Sequence, residues 1–114
     1  MTASPFAAQL TTQIGEEFAA HQQYLAVAAH YESLTLPQLA GFFYRQAREE
    51  SGHAKMMVQY LLDTDQPVRI PSVAEPVNDF DGIIAPVELG DLVGYVIEEV
   101  AVVGDHEQGL LAGR

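Results

Sequence analysis

The sequence predicts an all-α protein made of an antiparallel helical hairpin, a long crossover and a third helical segment. Apolar residues recur at alternating steps of three and four along two long stretches, which is the period of an amphipathic helix. Only a few residues separate these stretches, and long helices joined so closely must lie antiparallel. A proline-containing stretch then precedes the third segment.

The first helix is predicted over about residues 5–32. Ser4 can act as the N-cap by accepting a hydrogen bond from an orphan amide, and Pro5 has the backbone angle that the first helical position requires. From there the apolar residues keep helical spacing to about Glu32.

The second helix is predicted over about residues 36–63. Thr35 and Gln38 have the spacing of a capping box, in which each side chain bonds the backbone amide of the other residue. This pattern predicts Thr35 as the N-cap.

Residues 65–85 are predicted to form an ordered crossover. Pro67, Pro71 and Pro76 break up any helix there, whereas apolar residues such as Val68 and Phe80 argue against a solvated linker. About twenty extended residues reach up to roughly 66 Å, and a helix of about 28 residues is only about 42 Å long. The crossover can therefore return the chain to the other end of the hairpin.

The third segment, about residues 86–111, is predicted to be helical because its apolar residues fit a helical stripe. Gly90, Gly94 and Gly104 each cost about 1 kcal/mol inside a helix, and the run Val100–Val103 also suits a strand. A chain of 114 residues is expected to form a single domain, 1–114.

The charge balance narrows the range of partners. There are 16 Asp and Glu residues against 5 Lys and Arg, and a net charge of −11 argues against nucleic acid and favours cations. With no cysteine, a metal site must use carboxylate, imidazole and water. No signal peptide or membrane-spanning run is recognisable, so a cytoplasmic location without a membrane partner is expected.

Polar residues interrupt both apolar stripes at the same height. In an antiparallel hairpin the position numbers of residues at equal height have a constant sum, about 67 for a turn centred between Ser33 and Leu34. Glu17 therefore faces Glu50, and His53 lies one turn further along the same face.

Glu17, Glu50 and His53 are candidate metal ligands. Two buried carboxylates at one height repel each other and lose hydration, which costs several kcal/mol unless a cation lies between them. A Glu-x-x-His pair opposed by a glutamate from the neighbouring helix is the ligand arrangement of di-iron and di-manganese sites. Hard carboxylate ligands also suit iron and manganese better than they suit a structural zinc ion. A single Glu-x-x-His also arises by chance, so a solvated pair without metal is the alternative.

The two histidines of the first helix, His21 and His30, are expected to be structural. His21 lies at the height of Gln46, its expected hydrogen-bond partner in the core, and His30 is expected to face solvent.

Four stretches are similar to those of a ferritin of the haem-free bacterial type: Ile14–Tyr24, the turn Ser33–Leu39, Gln46–Ala54 and Val68–Pro71. The resemblance covers roughly residues 5–81. By it, Glu17, Glu50 and His53 match ferroxidase ligands, with Glu50 as the bridging carboxylate.

The same resemblance assigns two further residues. Tyr24 matches the tyrosine beside the centre. The alternative, which is the commoner role, is that of a core tyrosine. Glu49 matches a carboxylate of an accessory iron site in some members of the family. The alternative, which is the commoner role, is that of a solvated helix residue.

The implied function is iron storage and detoxification. A ferritin oxidises Fe(II) to Fe(III) with oxygen or peroxide at a di-iron centre without haem, and stores the mineral inside a hollow homo-oligomer or cage. A single chain here carries an incomplete ligand set, because a ferritin subunit has four long helices and this chain has only 114 residues. Glu99 is the substitute ligand in the third segment, unless it is solvated.

Two hypotheses therefore compete. In the first, two hairpins meet about a two-fold axis and a second chain completes the bundle and the di-iron centre. In the second, the chain is a non-catalytic helical assembly or interaction module derived from a ferritin whose metal site is incomplete.

Overall fold

The computed structural model describes residues 3–83 and 85–86. It contains helix α1 over Pro5–Ser33 and helix α2 over Pro37–Asp63, which pack along each other as an antiparallel hairpin. No strand occurs in this part of the chain, so the all-α prediction is confirmed there. Of the predicted third segment only Pro86, which is fully buried, lies within the described residues.

The start of α1 is capped as its sequence predicts. The Ser4 hydroxyl oxygen accepts a hydrogen bond from the backbone N–H of Ala7 at 3.1 Å, and Pro5 occupies the first helical position. The bond pairs one of the amides that every helix start leaves without an intrahelical partner.

The predicted capping box of α2 is wrong, because Thr35 has another role in the turn between the helices. Thr35 has a φ of 61°, and its N–H donates to the carbonyl of Glu32 while the N–H of Leu36 donates to that of Tyr31, both at 3.0 Å. These bonds form a Schellman motif that ends α1. Because Thr35 takes the left-handed conformation needed to end α1, it cannot also take the extended one of an N-cap. Leu36 is the N-cap of α2 and makes no side-chain capping bond.

The same motif ends α2. Asp65 has a φ of 57°, and the N–H of Gln66 donates to the carbonyl of Leu61 at 2.9 Å. Aspartate tolerates this conformation better than most side chains do.

The core consists of two apolar clusters with the glutamate pair between them. The cluster near the turn contains Tyr24, Val27, Ala28, Tyr31, Ala40, Phe43 and Ala47. The cluster at the opposite end contains Ala7, Leu10, Ile14, Ala54 and Leu61. Both helices are thereby fixed on either side of the polar interruption.

The crossover runs extended along α1, from its start to its end. The N–H of Ser4 donates to the side-chain oxygen of Gln66 at 3.2 Å, and the Tyr31 hydroxyl donates to the carbonyl of Ile83 at 2.5 Å. Midway, the buried Gln23 amide donates to the carbonyl of Val77 and accepts from its N–H, both at 2.9 Å. Gln23 thus pairs with both backbone groups of Val77, as a neighbouring strand would.

His30 departs from its expected solvent-facing position. It is half-buried, with its ring 5.2 Å from that of Phe80 and its Nε2 atom 2.8 Å from the carbonyl oxygen of Gly82. His30 therefore helps to attach the end of the crossover to α1.

Neither α1 nor α2 is long and apolar enough to cross a membrane.

A glycine allows the crossover to approach α1 closely. A Cβ atom added at Gly15 would lie 2.9 Å from the Pro71 Cγ atom, whereas one added at Gly52 would meet nothing within 4 Å. The proline ring cannot swing away as the tip of a flexible side chain would.

We therefore expect Gly15→Ala and Gly52→Ala to change stability in opposite directions. Gly52→Ala should stabilise the chain by about 0.5–1 kcal/mol through helix propensity. Gly15→Ala should lose this gain and about 1–3 kcal/mol more, because the crossover must shift. Urea unfolding of both variants followed by circular dichroism measures the difference, and equal free energies of unfolding would show that the crossover does not need this glycine.

Candidate metal centre

The candidate centre lies where the two apolar stripes are interrupted. Glu17 comes from α1, and Glu50 and His53 come from successive turns of α2. The carboxylates are almost fully enclosed, with 2% of each glutamate exposed, whereas 41% of the His53 side chain is exposed. The centre is thus buried on the glutamate side and opens to the surface at the imidazole.

The three side chains converge on one point. The Nδ1 atom of His53 lies 3.4 Å from Oε2 of Glu50 and 3.7 Å from Oε2 of Glu17. One ligand atom from each of the three residues lies within 4.8 Å of the others. The facing positions inferred from the hairpin geometry are therefore present in the structure.

The two buried carboxyl groups are not fully paired by the described part of the chain. Oε2 of Glu17 and Oε2 of Glu50 are buried there without a hydrogen-bond partner. Such atoms normally cost stability, since burial removes their hydration without replacing it. A cation between the carboxylates would supply the missing interaction.

Burial raises the pKa of Glu17 to about 9 from its usual 4.5, and the neighbouring Glu50 carboxyl group contributes the next largest effect. Glu17 therefore keeps its proton at neutral pH in the metal-free chain. Metal binding must displace that proton, so it becomes easier as the pH rises.

The donor set fits iron. Two carboxylates offer hard oxygen atoms and His53 offers one borderline nitrogen, a combination that suits Fe(II), Fe(III) and Mn(II). The three residues provide too few donor atoms for two six-coordinate ions, so a second ion would need ligands from elsewhere.

His21 has a different partner from the expected one. Its Nδ1 donates a hydrogen bond to the backbone carbonyl of Ala47 at 2.6 Å, so Gln46 is the wrong partner by one residue. A backbone carbonyl is present at every position, so residue types cannot reveal this bond.

The remaining candidates lie in different environments. Tyr24 is buried two turns from Glu17, with its ring centroid 5.9 Å from that of Phe43. Glu49 is exposed on α2. Glu99 lies outside the described residues. The structure brings Glu17, Glu50 and His53 together, and the roles of Tyr24, Glu49 and Glu99 stay predictions.

Comparison with known proteins identifies the family. The family model for the ferritin-like domain matches residues 7–94. This chain belongs to the ferritin family. It is 53% identical over 76 residues to ferritin BfrB of Mycobacterium tuberculosis, which covers 67% of this chain and 42% of that protein. It is 32% identical over 75 residues to a bacterial non-heme ferritin of Campylobacter jejuni. The matched stretch covers 66% of this chain and 45% of that protein.

Solved ferritin structures share the fold of this family member. It resembles an open pore ferritin of the archaeon Archaeoglobus fulgidus with a TM-score of 0.77 and 22% identity, over 96% of this chain and 71% of that one. The chain spans less than half the length of the curated relatives described above.

The raised pKa of Glu17 predicts a stability that depends on pH. In the metal-free chain the folded-state pKa of about 9 exceeds the usual 4.5, so this stabilising contribution is complete below pH 4.5 and is lost as the pH rises towards 9. Glu17→Gln removes the titration. Relative to the wild type, it should be more stable by a few kcal/mol at pH 8 and closer to equal at pH 5.

Urea unfolding with a chelator present at both pH values measures this difference. Glu75→Gln, which removes an exposed carboxylate of the crossover, is the control and should show no such change. A Glu17→Gln effect of the same size at pH 5 and pH 8 would contradict the raised pKa.

Proposed function

We propose that this chain binds Fe(II) at Glu17, Glu50 and His53 and oxidises it to Fe(III), as part of an iron-storing and iron-detoxifying ferritin. The observation that carries the proposal is the meeting of three ligand atoms within 4.8 Å of one another, two of them from buried carboxylates. Membership of the ferritin family supports iron as the metal.

The carboxylates favour the oxidised ion. Negative oxygen ligands in a buried site stabilise a triply charged ion more than a doubly charged one, since their attraction grows with the charge of the ion. Glu17 and Glu50 therefore make Fe(II) easier to oxidise. Oxidation of two Fe(II) by one oxygen molecule, with uptake of two protons, gives two Fe(III) and hydrogen peroxide. Peroxide is the alternative oxidant.

Each residue has a separate role in the proposal. Glu50 bridges the two iron ions, Glu17 binds one of them after losing its proton, and His53 binds from the exposed side. Tyr24 is the proposed redox-active or hydrogen-bonding neighbour of the centre. Glu49 and Glu99 are further proposed ligands, and Glu49 is accessible to incoming ions because it is exposed.

The proposed assembly is a homo-oligomer in the cytoplasm. The matched relatives are named as ferritins, and the Archaeoglobus protein is described as an open pore ferritin. A hollow assembly or cage would give the Fe(III) product a space in which to collect, and the excess of 16 acidic over 5 basic residues would attract Fe(II) towards the protein.

Oxidation kinetics test the function. Fe(II) is added without oxygen, air is then admitted, and Fe(III) formation is followed by absorbance. Glu50→Gln should lower the initial rate at least about tenfold, because it removes the bridging charge while keeping the side-chain volume. Glu75→Gln removes an exposed carboxylate from the crossover and should keep the wild-type rate.

The same measurement separates the two hypotheses. If wild type, Glu50→Gln and Glu75→Gln all oxidise Fe(II) no faster than buffer, the chain has no ferroxidase centre and the helical assembly module is favoured. Glu50→Gln removes one of two buried carboxylates, so unfolding of the variant is not the expected cause of a lost rate; circular dichroism checks this.

A further inference from the structure

A hydrogen bond from His21 joins the two helices beside the candidate centre. The Nδ1 atom of His21, on α1, lies 2.6 Å from the backbone carbonyl oxygen of Ala47, on α2. A carbonyl oxygen accepts hydrogen bonds and cannot donate them, so Nδ1 must carry the proton in this contact. The bond is therefore available from the neutral imidazole and from the imidazolium ion alike.

This hydrogen bond lies one helical turn from the buried glutamates. His21 follows Glu17 by four residues, and Ala47 precedes Glu50 by three. At a helical rise of about 1.5 Å per residue, these separations are about 6 Å and about 4.5 Å along the two helix axes. The bond therefore ties α1 to α2 close to the height at which the carboxyl groups face each other.

His21 is not itself one of the converging ligands. In the described part of the chain, the residues whose ligand atoms lie within 4.8 Å of one another are Glu17, Glu50 and His53. Any effect of His21 on a bound ion must therefore act through the helices that carry these residues.

Ala47 allows the helices to come this close. Its side chain is a single methyl group, and the residue is 1% exposed within the apolar cluster near the turn. Inside α2 its carbonyl oxygen has the usual helical partner four residues later, and its second lone pair can accept from the imidazole. The imidazole of His21 thus reaches the backbone of the neighbouring helix past a small side chain.

We propose that His21 is a positioning residue of the metal centre, because its bond to the Ala47 carbonyl fixes the separation of Glu17 and Glu50. The inference rests on the proposed iron site. Tight binding requires ligands to be held within about 0.5 Å of the productive geometry. Since the two glutamates belong to different helices, their separation depends on how those helices are held together.

Another hydrogen bond between the helices provides a matched control. The Tyr44 hydroxyl of α2 donates to the Glu32 carboxylate in the last turn of α1, next to the connection between the helices. Tyr44→Phe removes this bond and keeps the ring. It therefore removes one bond between α1 and α2 at a place remote from the centre.

Binding of Mn(II) to the full chain tests the proposal, because Mn(II) remains divalent in air and its free form is counted by electron paramagnetic resonance. His21→Leu removes the donor and should weaken binding at least about tenfold, the loss typical of removing a group that orients a ligand. Tyr44→Phe should bind Mn(II) within about twofold of the wild type, because distant sites act independently.

Two amide substitutions separate positioning from a general effect on stability. The side-chain nitrogen of Asn is as many bonds from the backbone as Nδ1 of His, whereas that of Gln is one bond further away. His21→Asn should therefore stay within about threefold of the wild-type affinity, and His21→Gln should lose at least about tenfold. Gln is the better helix former, so urea unfolding with a chelator should rank these two variants in the opposite order.

The outcomes distinguish the role of His21 from the iron site. Affinities that follow the order of stability, with His21→Asn below His21→Gln, overturn the proposal, as does a loss in Tyr44→Phe equal to that in His21→Leu. Wild-type affinity in all four variants overturns the role of His21 and leaves the iron site intact. A wild type that binds no Mn(II) overturns the proposed iron site and, with it, the role of His21. If circular dichroism shows that His21→Leu is unfolded, the comparison of His21→Asn with His21→Gln decides.

Discussion

Two glutamates from different helices, Glu17 and Glu50, meet inside the hairpin between two apolar clusters. The clusters hold the helices at a fixed separation and register, and this places both carboxyl groups in a space where only 2% of each glutamate is exposed. Burial is unfavourable for both side chains. It raises the pKa of Glu17, and it leaves one oxygen atom of each glutamate without a hydrogen-bond partner. This cost makes the centre receptive to a cation, because a positive ion relieves the repulsion and restores the lost solvation together.

The crossover stabilises the helix that carries Glu17. It follows α1 from Ser4 to Tyr31 and is held by side-chain bonds to backbone groups, of which the paired bonds between Gln23 and Val77 are the most complete. Backbone groups in an extended segment need such partners because they have no strand beside them. Gly15 permits the closest approach, at Pro71. In contrast, the His53 side chain of α2 is 41% exposed, so the centre is buried on the side of the glutamates and accessible on the side of the imidazole.

Much of the hairpin and of the centre could be predicted, because both depend on how apolar and ligand residues are spaced along the sequence. The apolar period identified two helices, and the short turn set the register that brings Glu17 opposite Glu50. The predictions that were wrong depended on backbone geometry at Thr35 and on contacts between distant segments at His21 and His30. Thr35 has the spacing of an N-cap, but the end of α1 needs it in the left-handed conformation. His21 bonds the carbonyl of Ala47 rather than the side chain of Gln46, and His30 bonds the crossover instead of solvent.

By itself, the sequence determined the helical class, the hairpin and the residue types of the centre, since periodicity and donor chemistry are properties of residue order. Only the tertiary structure decided how deeply the carboxylates are buried, that His53 remains half-exposed, and that the crossover is attached along α1. Burial and hydrogen bonding depend on which distant segments pack together. Residues 23 and 77 are separated by 54 positions, and nothing in their identities indicates that they pair.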